Sequence, residues 1–92
     1  MKKIIPNLRK LAAKKGYNMI QLVIAINALQ AKAGYAKRPL TYSALYSYAR
    51  QTPPQDRIYA ICAILDIHPK KLFKDVYDEE KLTKYKLLIH TP

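Results

Sequence analysis

Residues 41–50, TYSALYSYAR, decide how the rest of the chain is arranged. On a helix of about 3.6 residues per turn they divide into two sides. Ala44, Leu45 and Tyr48 gather on one, with Leu40 just ahead of them. Tyr42, Tyr46 and Arg50 run down the other at i, i+4 and i+8, with Ser43 and Ser47 beside them. Thr41 stands where an N-cap belongs, its hydroxyl ready to accept from a free N–H of the first turn. The outward side carries hydroxyls and a guanidinium and no carboxylate, so it can approach a polyanion without repulsion. Taken alone, this is the pattern of any amphipathic helix with a polar face. The charge around it favours a helix that enters DNA.

The chain has 92 residues and a net charge of +11. Residues 1–50 hold ten Lys or Arg and no Asp or Glu, whereas residues 51–92 hold seven basic and all six acidic residues. The whole excess therefore lies in the half that contains 41–50. Such segregation calls for an anionic partner, most simply nucleic acid, with an anionic membrane surface as the rival. Half the residues are apolar, enough for one small helical core and not for two domains.

Upstream of the central stretch, Tyr35-Ala36-Lys37-Arg38-Pro39 reads as a basic turn, and Pro39 resets the chain for the next helix. Before it, MIQLVIAINALQAKA (19–33) is the most apolar run, with Asn18 as its N-cap and Gly34 as its stop. Leu22, Ile26, Leu29 and Ala33 form one stripe, widened by Met19, Val23 and Ile24. That is too much for a one-sided surface helix, so it is either enclosed by other helices or packed on a second subunit. The first helix runs from Pro6 through Leu8, Leu11, Ala12 and Lys15 to Gly16, with Arg9, Lys10 and Lys14 outward. Residues 1–5 are a short basic arm or strand. Downstream, Pro53-Pro54 breaks the chain, and 55–65 forms a fourth helix with Ile58, Ile61, Cys62 and Leu65 at i, i+3, i+4 and i+7. Asp66 lies where a left-handed residue ends it. His68-Pro69 opens a short fifth helix, 69–73, whose Leu72 and Phe73 close the core. Residues 84–90, KYKLLIH, read as a strand or as continuing helix, to pair with the N-terminal arm or reach a partner subunit.

The chemistry of an enzyme is missing. His68 and His90 are far apart, and a single cysteine with them makes no metal box. Two glycines make no phosphate cradle, and Asp78-Glu79-Glu80 reads as a solvated turn. We expect no catalysis, no cofactor and no metal. The lone Cys62, set among apolar residues, is expected to be a core side chain and fits a reducing cytoplasm. MKKIIPNLRK lacks the apolar stretch of a signal peptide, and no apolar run reaches the roughly 18 residues of a membrane span.

Three segments carry a family resemblance. LRKLAAKKGYNMIQLVIAI, LTYSALYSYARQ and RIYAICAILDIHPKKLF resemble the first-to-second helix, the recognition segment and the closing motif of the Cro-type (XRE) helix-turn-helix repressors, over residues 8–73. The second helix is longer than usual in that family, Asp66 stands where Gly or Asn is common, and Met19 replaces a phosphate-contacting Gln. The resemblance implies an all-α, five-helix, lambda-repressor-like domain over 1–73 with a C-terminal extension over 74–92. It implies a sequence-specific DNA-binding transcriptional regulator, in the repressor sense, working as a homodimer on paired half-sites. Thr41, Tyr42, Ser43, Tyr46 and Ser47 are then expected to face bases in the major groove. Asn18, Gln21, Lys37, Arg38 and Arg50 are expected on phosphates, which fix register. The reading side lacks Arg, Gln and Asn groups that pair bidentately with bases, so its discrimination is expected to rest on hydroxyls and thymine methyls. Two other functions fit the same residues: an antitoxin-like protein-interaction module, and a binder of nucleic acid through charge alone.

Overall fold

The most buried helix is Gln55–Leu65, in which Arg57 to Ala63 and Leu65 are all buried. Pro54 starts it, with φ fixed at −56° and its carbonyl accepting from the N–H groups of Arg57 and Ile58 at 3.0 and 3.1 Å. Asp56 in the first turn complements the positive end of the helix dipole. The computed structural model describes residues 7–34, 38–68 and 79–89. They form an all-α domain of five helices: α1 (Leu8–Lys14), α2 (Met19–Lys32), α3 (Tyr42–Ser47), α4 (Gln55–Leu65) and α5 (Glu79–Ile89). Helix α4 packs on α2 and α5, and α3 leans on α2. No described helix is long and apolar enough to cross a membrane.

The core joins Leu8 and Ala12 of α1, Leu22, Ile26 and Leu29 of α2, Leu40, Leu45, Ile58, Ile61 and Leu65. Each fully buried Leu or Ile contributes about 1.5–3 kcal/mol relative to an exposed one. Cys62 belongs to this core, and burial pushes its thiol up to about 12, with Lys86 of α5 acting weakly against the shift.

Four expectations change. The third helix ends at Ser47 rather than at residue 50. Tyr48, Ala49 and Arg50 donate to carbonyls three residues back, at 3.2, 3.4 and 2.8 Å, so the chain tightens into a turn as Tyr48 goes into the core. Ile24 was expected to widen the buried stripe of α2; it is 63% exposed, and Ile20, one turn earlier, is 60% exposed. Fourteen residues of helix expose more circumference than the neighbouring elements cover. The strand reading of 84–90 does not hold over 84–89, which is the second half of α5; Leu82 and Tyr85 are buried and Lys81 Nζ lies 2.7 Å from Asp56 Oδ1 on α4. A period of three to four residues, Leu82–Tyr85–Leu88–Ile89, outweighed the partial alternation. The first helix begins at Leu8, after Asn7 with φ 62°. Pro6 and the helix expected at 69–73 lie outside the described residues.

Helices α1 and α4 end in the same way. Gly16 takes φ 84° and Tyr17 N–H donates to Ala12 O at 3.0 Å; Asp66 takes φ 54° and Ile67 N–H donates to Cys62 O at 2.9 Å. Both are left-handed closures that return a carbonyl of the last turn to a donor. Glycine adopts that conformation without strain, whereas a side chain costs roughly 1–2 kcal/mol. The Asp66 carboxylate is exposed and 4.0 Å from Lys15 Nζ, a contact of little weight in solvent. Asp66→Gly is therefore expected to stabilise the fold by about 1 kcal/mol, a rise of roughly 4–8 °C in the melting temperature followed by circular dichroism. A fall would show that the carboxylate contributes more than the backbone relief.

Candidate nucleic-acid interface

The start of α3 is fixed by a side chain that imitates a backbone. Asn27 Nδ2 donates to Leu40 O at 3.0 Å, and Leu40 N–H donates to Asn27 Oδ1 at 2.7 Å. One carboxamide thus satisfies both polar groups of a buried residue, and ties the approach to α3 onto the middle of α2. The end of α3 is fixed by Arg57. Its guanidinium is buried; Nε donates to Gln30 Oε1 at 3.0 Å, Nη1 to Tyr48 Oη at 3.3 Å, and Nη2 to the Arg38 carbonyl. A planar fork of donors reaches α2, the residue after α3 and the chain before it at once. Bonds to a charged donor in a low-dielectric site are stronger than neutral ones. Residues 38–48 are therefore held as one rigid piece against α2 and α4.

Sequence reading placed none of Asn27, Gln30 and Arg57 in the interface. A signal was present: Asn27 and Gln30 interrupt the apolar run of α2 at i, i+3, and Arg57 is the one basic residue of α4, at the edge of its apolar run. Polar groups at core positions seek one another.

On this frame sits the exposed side of α3. Thr41 is the N-cap as expected, its Oγ1 accepting from Ala44 N–H at 3.1 Å. Ala44, Leu45 and Tyr48 face inward and Tyr42, Ser43 and Tyr46 outward. The hydroxyl of Tyr42 donates to that of Tyr46 at 2.8 Å, and the rings meet edge to face, centroids 4.7 Å apart at 64°. This hydrogen bond raises the Tyr42 pKa above the ordinary phenol value, with a smaller opposing effect of the Arg9 charge. Tyr42 is therefore held in its protonated form, so its hydroxyl acts as a hydrogen-bonding group and not as an anion.

Two residues of the expected base-contacting set are differently placed. The Ser47 hydroxyl donates back to the Ala44 carbonyl at 2.6 Å and is half-buried, as serine often is inside a helix. The Thr41 hydroxyl is engaged in the cap. That leaves Tyr42, Ser43 and Tyr46 as the outward groups of α3.

Of the expected phosphate contacts, Asn18 and Gln21 form a reciprocal capping box at the start of α2: Gln21 N–H donates to Asn18 Oδ1 at 2.7 Å and Asn18 N–H to Gln21 Oε1 at 2.9 Å. Both bonds use amide oxygens, and both side chains are exposed, so their NH2 groups remain for an anion. Met19 between them is buried. Arg38 and Arg50 are exposed on either side of α3, while Lys37 lies outside the described residues. Among the described residues no group of three or more His, Cys, Asp or Glu lies where it could hold a metal ion. Comparison with protein-family models, with curated proteins and with solved structures finds no match to this chain.

Proposed function

We propose that the chain is a sequence-specific, double-stranded DNA-binding regulator of the Cro-type helix-turn-helix kind, which inserts α3 in the major groove and represses by occupancy in the cytoplasm. The observation that carries this reading is the mounting of α3: an exposed, acid-free helix clamped at both ends by Asn27 and Arg57. A helix held only for packing has no need of two polar clamps, one buried and one half-buried. Six helical residues span about 9 Å, enough to cross a groove roughly 12 Å wide with the flanking Thr41 and Tyr48 added. Arg38 and Arg50 flank the helix as phosphate contacts, and Asn18 and Gln21 add the N-terminus of a second helix. The acid-free first half, with Arg9, Lys10, Lys14 and Lys15 exposed, supplies the sequence-independent field.

The uncharged outer side of α2, with Ile20 and Ile24, is where two such cationic chains meet without bringing like charges together, which suits a homodimer on paired half-sites. The same exposed apolar residues, and separately the exposed Leu87 of α5, support the second reading, a protein-interaction module of the antitoxin type.

Retention of a randomised duplex pool at two salt concentrations, followed by sequencing, separates these readings. The proposal expects an enriched two-fold symmetric motif. Retention without a motif, lost steeply with salt, would reduce the function to charge alone; no retention would favour the protein-interaction module. Within the same assay Arg38→Ala is expected to weaken cognate and random duplexes alike, and to flatten the slope of log affinity against log salt by about 0.9, the share of one phosphate. An unchanged slope would remove Arg38 from the phosphate set.

A further inference from the structure

Two hydroxyls joined by a hydrogen bond have a fixed inventory. Tyr42 Oη donates to Tyr46 Oη at 2.8 Å, and both side chains are exposed on α3. Each phenol has one proton and acceptor lone pairs. Once one proton lies between the two oxygens, the pair offers outward a single proton, on Tyr46, beside an acceptor, on Tyr42. Reversing the bond exchanges the two roles and leaves the inventory unchanged. The edge-to-face contact of the rings, 4.7 Å between centroids, keeps the hydroxyls adjacent. The pair is therefore a donor–acceptor unit assembled across one helical turn, the same pattern that the carboxamide of Asn or Gln carries in one side chain.

The bases present different patterns in the major groove. Adenine has an acceptor, N7, next to a donor, the N6 amine; guanine has two acceptors, N7 and O6; cytosine has one donor and thymine one acceptor with a methyl. We propose that the Tyr42–Tyr46 hydroxyl pair is an adenine-selecting contact, one phenol donating to N7 while the other accepts from the N6 amine. This rests on α3 being the duplex-reading helix. Guanine would require both phenols to donate, which breaks the bond between them and leaves the pair with one hydrogen bond fewer. Cytosine and thymine each satisfy only half of the pair. The reading side of α3 contains no Asn or Gln, so the hydroxyl pair supplies a discrimination that the sequence, taken residue by residue, does not display.

The test uses the full chain and synthetic duplexes. A motif is first selected from the randomised pool with the wild-type protein. Each adenine in it is then replaced by 7-deazaadenine, which lacks N7, by purine, which lacks the N6 amine, and by guanine. One adenine per half-site is expected to lose about tenfold in affinity with every replacement. In Tyr42→Phe and in Tyr46→Phe, which keep both rings and the helix, the lone remaining hydroxyl turns freely to donate or to accept. The adenine-to-guanine preference at that position is expected to fall to about unity in both variants. Circular dichroism confirms that the fold is retained. A motif whose adenine preference survives both phenylalanine variants, or one whose critical purine is guanine, overturns the adenine contact and leaves duplex reading by α3 intact. Retention with no motif at all overturns both.

Discussion

Arg57→Ala is expected to destabilise the fold by about 3 kcal/mol and to lower its melting temperature by roughly 12–24 °C. The substitution leaves Gln30 Oε1, Tyr48 Oη and the Arg38 carbonyl without the donor that serves all three. A buried polar group stripped of its partner costs about 1–3 kcal/mol, so the two buried acceptors, on Gln30 and Tyr48, together outweigh the ordinary effect of a surface truncation several times. The loss is a large share of the roughly 5–15 kcal/mol that hold a domain of this size together. Arg57→Lys should recover part of it, because an ammonium can still donate but cannot place three N–H groups in one plane. The check is thermal unfolding by circular dichroism of the three proteins. A melting temperature for Arg57→Ala within about 3 °C of wild type, well below that range, would mean that the guanidinium network is not what fixes residues 38–48.

Leu45→Ala has an effect of similar size and a different address. Leu45 is fully buried and is the single buried side chain within the six residues of α3. Its truncation is expected to cost about 2–5 kcal/mol. A helix this short has no stability of its own, since nucleation is unfavourable and only packing holds it. The loss should therefore appear first as local opening. Amide exchange at residues 45–51, whose bonds run back to residues 41–47, should accelerate before that of α4. Duplex binding should fall with it. The control is Leu82→Ala, a comparable truncation of a buried residue on α5. That protein should keep the duplex affinity it has at temperatures where it remains folded. If the two variants lose affinity equally while both are folded, the site of DNA contact is not α3.

Much of the fold was legible because its signals are local. The apolar period of 55–65, the double proline before it and the position of Asp66 mark α4 at both ends, and the structure has the helix over those residues with Asp66 left-handed. Asn18, Thr41, Gly16 and Gly34 punctuate the chain as their side chains or their lack of one require. The misreadings share a cause, which is tertiary context. Tyr48 was assigned to the core side correctly, yet the same burial shortens α3, because reaching Arg57 tightens the last turn. Ile24 is apolar and at helical spacing, and nothing in its own neighbourhood says that the core ends before reaching it. In the candidate site the exposed tyrosines were legible from the i, i+4 pattern, whereas the bond between their hydroxyls was not, because rotamers decide it. Ser47 shows the converse: its hydroxyl looked available and is taken by the Ala44 carbonyl. The clamps of Asn27 and Arg57 join residues 13 and 19 positions apart, beyond the reach of any local pattern.

The most direct measurement of the central claim is a titration of 15N-labelled protein with a selected duplex, followed by amide chemical shifts. If α3 enters the groove, the largest changes fall on residues 41–46, with Arg38, Arg50, Asn18 and Gln21 next, and α5 stays still. Changes centred on the exposed Lys84 and Lys86 of α5, or on the Ile20–Ile24 side of α2, with the amides of Tyr42, Ser43 and Tyr46 unmoved, would contradict it.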